Sequence, residues 1–162
     1  MESTSMVRRM IGAATLDVAT YEEVEHDTTA TMQAGFVVVL AAVAQGVASP
    51  VGVISGVVGS LIGWLAMAGL TYFIGTRLFK GTATWGELLR TLGFATAPGI
   101  LYIVGIIPIL GWLATLVIML WVLVAVVIAI RQALDVTTGK AVLTGLLGMI
   151  AWALIVMAVP GL

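Results

Sequence analysis

From Ala30 to Thr76 the chain carries no Asp, Glu, Lys, Arg or His. Such a run is far longer than the ~20 apolar residues that cross the hydrocarbon core of a bilayer. The remainder is of the same kind: 61% of the 162 residues are hydrophobic and 9% are charged, against about 25% charged in an ordinary soluble domain. A water-soluble monomer is excluded, because so few charges cannot coat a globule of this size. The expected fold class is all-α, a polytopic membrane bundle, since each helix satisfies its own backbone hydrogen bonds in lipid. The chain has no cysteine, which excludes disulfides, thiolate nucleophiles and cysteine-held metal or iron-sulfur centres.

Proline and charge divide the apolar sequence into five transmembrane helices, at about residues 31–48, 51–79, 84–107, 110–131 and 138–159. Ser49-Pro50 ends the first span, because the residue before proline is biased away from helix, and Pro50 suits the first turn of the second. Thr84-x-x-Glu87 is a capping box that opens the third span. Thr20-x-x-Glu23 has the same form and predicts a helix that starts at Tyr21 and runs on into the first span. Pro98 falls in the middle of the third span beside Gly93 and Gly99, where a missing backbone donor predicts a kink or a break. Residues 1–30 form an amino-terminal segment, with residues 31–162 as the five-helix domain. Met6, Val7, Met10, Ile11 and Ala14 recur at helical spacing beside Arg8 and Arg9, predicting a short interfacial helix on the membrane surface. The apolar run from Met10 to Leu16 is too short for a signal peptide and meets Asp17, so no cleavage is expected.

The basic residues set an orientation. Arg8 and Arg9 precede the first span, Arg77, Lys80 and Arg90 surround the connection between the second and third, and Arg131 and Lys140 flank that between the fourth and fifth. All fall on one side, which predicts a cytoplasmic amino terminus and an external carboxyl terminus. Residues 1–30 carry two arginines against six carboxylates, a net −4. With no basic face to displace counterions, nucleic acid is not an expected partner. The acidic turn containing Glu22, Glu23 and Glu25 is expected to face Arg77, Arg90 or Arg131. Glu87 is spaced to pair with Arg90, and Arg131 with Asp135. Exposed pairs of this kind contribute about 0–1 kcal/mol each, so they set register more than stability.

Helices in lipid associate through close packing of small residues. Gly52, Gly56, Gly59, Gly63 and Ala66 recur along one face of the second span as a groove for a neighbour, within the bundle or in a second copy, with the bundle the favoured reading. Ala125, Ala129 and Ala133 form a smaller stripe, as do Ala141, Gly145 and Gly148. The chemistry-bearing residues are few. Glu22 and His26 are four apart on a helix, but the chain has one histidine, and a metal site wants three or four protein ligands. No metal, cofactor or catalytic residue is expected. Hydrolysis within the membrane would need a histidine or two aspartates inside the spans, and the spans hold neither.

The layout resembles the Yip family, the Ypt/Rab-interacting membrane proteins and their prokaryotic relatives, over roughly Arg9 to Val159. The resemblance is carried by the five close spans, by Gly93-Phe94-Ala95-Thr96-Ala97-Pro98, by the segment from Arg131 to Ala141, and by Tyr21-Glu22-Glu23-Val24 leading into the first span. It implies a five-helix bundle with a cytoplasmic amino terminus. Eukaryotic members are associated with prenylated Rab GTPases and vesicle traffic. The amino-terminal segment here lacks the long cytosolic region of those members, so a Rab-type GTPase is not an expected partner and a prokaryotic plasma (inner) membrane is the expected location. The expected function is non-enzymatic: organising membrane lipids, partner membrane proteins or further copies of itself, as a scaffold. The alternatives are a small oligomeric transporter or channel that uses the broken third span, or an accessory subunit of a larger complex.

Overall fold

The computed structural model describes residues 5–48, 52–107 and 110–158. Among these residues every regular element is helical. Two short helices, α1 (Met6–Ala14) and α2 (Val18–His26), precede α3 (Ala30–Val47), α4 (Val53–Leu78), α5 (Trp85–Ala95), a 3-10 segment (Ala97–Ile106), α6 (Leu110–Leu134) and α7 (Thr138–Ala158). With α5 and the 3-10 segment taken together, five helices are long and apolar enough to cross a membrane. The prolines expected at span boundaries, Pro50, Pro108 and Pro160, lie outside the described residues.

The capping box at Thr84 is present: Thr84 Oγ1 accepts from the Glu87 amide, and Glu87 Oε2 accepts from the Thr84 amide at 2.8 Å. The box expected at Thr20 is not. Asp17 begins α2 three residues earlier, its carboxylate accepting from the Ala19 and Thr20 amides and from the Thr20 hydroxyl. A carboxylate suits the positive end of a helix better than a hydroxyl. Nor does this helix continue into the first span. It stops at His26, and Asp27 then turns the chain by accepting from the amide and hydroxyl of Thr29 at 2.9 and 2.6 Å.

The third span breaks where Pro98 predicts. α5 ends at Ala95, and the chain tightens into the 3-10 segment with Pro98 in its first turn, where no intrahelical donor is needed. Three residues per turn stack positions three apart. Thr96, Gly99 and Tyr102 therefore line up on one edge.

The best-packed part of the bundle is the end that holds the charged residues. There Tyr21, Val24, Ala34, Leu88, Phe94, Ala129, Ile130 and Leu134 are all fully buried. Gly93 lets α5 meet α3, because a methyl group at Gly93 would lie 2.7 Å from Ala34 Cβ. Ala125, Ala129, Ala133 and Ala141 are buried in seams within the bundle. The α4 stripe behaves differently. A methyl at Gly56 would sit 3.8 Å from the α3 backbone, but one at Gly59 or Gly63 would meet nothing within 4 Å. Gly52 takes φ +84°, which suits glycine, as the chain enters α4, and Ala66 is half-buried. The stripe is thus a packing groove only toward its first turns, because further along a cavity opens beside Gly63 and it is Trp64 that reaches α3, at Gly35.

Gly93→Leu should therefore prevent formation of a monodisperse, folded protein in mild detergent. Gly59→Leu should leave the thermal midpoint unchanged or slightly raised, since leucine gains up to ~1 kcal/mol of helix propensity and meets no neighbour. Size-exclusion and thermal unfolding of both variants check this.

Candidate functional site

Two places gather polar side chains: a cap at the charged end and a cavity within the spans. The cap begins with Arg9 on α1. Its side chain is 3% exposed, and it donates to Glu23 Oε1 at 3.0 Å, Asp27 Oδ2 at 2.5 Å and Gln33 Oε1 at 3.1 Å. Arg90 on α5 is 6% exposed. Its Nε donates to the carbonyls of Val24 and Glu25 at 2.9 and 3.0 Å, Nη2 donates again to Glu25 O, and Nη1 reaches Thr31 Oγ1 at 3.4 Å. The last carbonyls of a helix have no partner of their own. A guanidinium with five fixed donors can serve two of them at once and still reach a third group.

Several expected pairings are replaced by this arrangement. Glu23 goes to Arg9, and Glu22 accepts from Gln132 Nε2. Arg90 meets α2 through its backbone, not its carboxylates. Glu87 caps Thr84 and does not pair with Arg90. Arg131 donates to Gln132 Oε1, and Asp135 accepts from Thr82. Arg9 and Arg90 are thus interior residues, because each is surrounded by enough acceptors to leave water. Arg8, Arg77, Lys80 and Lys140 are exposed at the same end. The amino-terminal helices are bound to the bundle: the Tyr21 hydroxyl donates to Ala13 O at 3.1 Å, and Trp121 Nε1 on α6 donates to Ala14 O at 2.8 Å. Gln33, Gln132, Thr31 and Trp121 were not foreseen from sequence. Uncharged amides at the edges of apolar spans were the available signal.

The environment shifts several titrations. The Thr29 hydroxyl and then Arg9 hold the Asp27 carboxyl down at about 2. Burial, with Glu22, Asp135 and Glu87 nearby, pushes Glu25 up to about 7, against the pull of His26. The hydrogen bond from His26 Nδ1 to Glu22 O raises the imidazole, and the charge of Glu25 adds to this. Glu22, Glu25 and His26 bring one possible ligand atom each to within 4.8 Å of one another. One helix supplies all three at i, i+3 and i+4, Glu22 is already engaged by Gln132, and His26 has only Nε2 left. The set falls short of a closed four-ligand site.

The cavity lies among α3, α4, α6 and the 3-10 segment and encloses about 300 Å³. Leu92, Met67, Val122 and Val126 line its deeper part, and Gln45, Ser60 and Tyr102 bring polar groups to it. Thr96 and Trp64 also line it, but their polar atoms are taken: Thr96 Oγ1 donates to Gly93 O at 2.7 Å and Trp64 Nε1 to Leu89 O at 2.9 Å.

A family model, the Yip1 domain, matches residues 11–160. The chain belongs to the Yip1 domain family. No curated protein and no solved structure matches it. The Yip1 domain takes in α2, Arg90 and the whole cavity, while Arg9 lies just ahead of the match. Five membrane-crossing helices and this membership make the protein an integral membrane protein.

Arg90→Lys should lower stability by roughly 2 kcal/mol, because one ammonium cannot serve both carbonyls and Thr31. Thermal unfolding in detergent reads this. Glu25 supplies a pH test. Its proton is held to about pH 7 in the fold but released near 4.5 when unfolded, so stability falls as pH rises through that window. Glu25→Gln should flatten the fall, leaving a smaller decline from His26, whose contribution is lost as pH rises through its folded value. Unfolding midpoints at a series of pH values check the slope.

Proposed function

We propose that the chain is a non-catalytic organiser of the membrane, holding lipids or partner membrane proteins against the half of its bundle that its own helices leave uncovered. One observation supports this most strongly. The apolar window of α4 is 6% buried, whereas that of the third span is 50% buried. A helix of 26 residues that packs on α3, α5 and α7 yet keeps nearly all of its apolar positions at least partly exposed offers a face to something else in the bilayer. The side-chain chemistry agrees: the single histidine carries a backbone carbonyl on Nδ1, and the arginines most withdrawn from water are engaged in holding α1 and α2. The lysines and arginines at one end favour placing that end in the cytoplasm, in a prokaryotic plasma membrane. Residues 5–30, folded onto the bundle, favour partners within the membrane over a Rab-type GTPase, and no cofactor is required.

Extraction into native nanodiscs, with mass determination of what accompanies the protein, tests the reading. The expected result is a stoichiometric membrane-protein partner or a defined lipid complement. A bare homo-oligomer that moves a solute in liposomes would contradict it and favour a transporter.

A further inference from the structure

We propose that the cavity among α3, α4, α6 and the 3-10 segment is a binding site for one acyl chain of a membrane lipid, drawn from the leaflet at the uncharged end. This rests on the reading of the chain as a membrane organiser and gives that reading a specific site.

α4 packs on α3 and α7, and α6 packs on the 3-10 segment, α5 and α7, but α4 and α6 barely meet. α7 bridges them where Gly145 lies against Ile130 and Gly148 against Met67 and Thr71, and Trp152 and Val156 stay half-buried on the same face further along. Beyond Gly148 its large apolar residues Ile150, Leu154 and Met157 are exposed. One turn from the lining residues Gly63 and Val122, Gly59 on α4 and Met119 on α6 are exposed within the spans. A mouth of this composition within membrane spans opens onto hydrocarbon, so the occupant comes from the bilayer.

Gln45 lies two residues from the end of α3, and Ser60 about two turns into α4 from the same side. Leu92, Met67 and Val126 lie nearer mid-depth. The deep hydrogen-bonding groups, Thr96 and Trp64, are satisfied inside the protein. Among the described residues the side chains of Gln45, Ser60 and Tyr102 make no hydrogen bond within the chain. Unsatisfied polar groups in a bilayer are unfavourable, and a lipid that enters tail-first brings its ester or hydroxyl groups to this level. Polar toward the interface and apolar toward the midplane is the gradient of a single leaflet. The 300 Å³ volume is at the lower end of small-ligand sites, which suits one chain. Gly63 lines the site with open space beyond its Cα, and the 3-10 turn puts Gly99 between Thr96 and Tyr102 on the opposite wall.

The test uses the full chain in nanodiscs of phosphatidylcholine carrying a mid-chain diazirine, with photolysis and peptide mapping by mass spectrometry. Adducts are expected on the cavity residues Trp64, Met67, Val122 and Val126. They should fall at least several-fold in Gly63→Phe, whose ring enters the open space, while labelling of the lipid-facing Leu116 and Leu154 is unchanged. Ser60→Phe provides a second block should Gly63→Phe fold poorly. Labelling confined to lipid-facing residues, or cavity adducts unaffected by both blocks, overturns the site. So does a cross-link between two copies through Gly59 and Gly63 with the cavity unlabelled. Each of these results would leave the organiser reading standing, since co-purification tests that separately.

Discussion

A guanidinium enclosed by helices must find acceptors for its nitrogens, and Arg90 finds most of them on the carbonyl end of α2. Much of the architecture at the charged end follows from that requirement. Removing a charge from water is tolerated only with full hydrogen bonding. The acceptors on α2 are backbone atoms, so α2 must end at one level against α5. Arg9 repeats the device from the opposite direction, drawing Glu23, Asp27 and Gln33 together across α1, α2 and α3. Between them the two arginines turn a marginal pair of nine-residue helices, too short to hold in isolation, into a fixed cap.

The five spans were legible in the sequence because hydrophobic length is a one-dimensional property, and the charge-free run from Ala30 to Thr76 displays it openly. The break at Pro98 was legible for the same reason: proline's missing donor acts locally. What the sequence could not show was which partner each charge would take. Spacing along a helix offered Glu87 to Arg90 and Arg131 to Asp135, but tertiary acceptors at greater sequence separation prevailed. Thr20 and Asp17 both had capping side chains, and only the position of the helix start could choose between them. The glycines of α4 looked like one continuous groove because periodicity records the face of a helix, not whether a neighbour lies along it.

The two ends of the bundle are built on different principles. At the charged end, small residues such as Gly93, Ala129 and Ala133 permit close approach, and the remaining polar groups are satisfied internally. Toward the other end α4 and α6 stay apart, although Gly105 still brings the 3-10 segment close to Ala48, and among the described residues large apolar side chains are exposed and a few polar groups lack protein partners. In a bilayer, exposure of the first kind carries no hydrophobic penalty, since lipid is as apolar as leucine. The chain can therefore be rigid where it is charged and receptive where it is not. The Yip1 domain match runs through both regions.

Helices α1 and α2 are an integral part of the bundle, held by buried arginine hydrogen bonds, and do not lie free on the membrane surface. Backbone hydrogen exchange of the protein in lipid nanodiscs tests it most directly. The account predicts that the amides of Val18–His26 exchange nearly as slowly as those of Trp85–Ala95, apart from the unbonded first turn. Exchange across Val18–His26 at the rate of an unstructured peptide, with α5 protected, would contradict it.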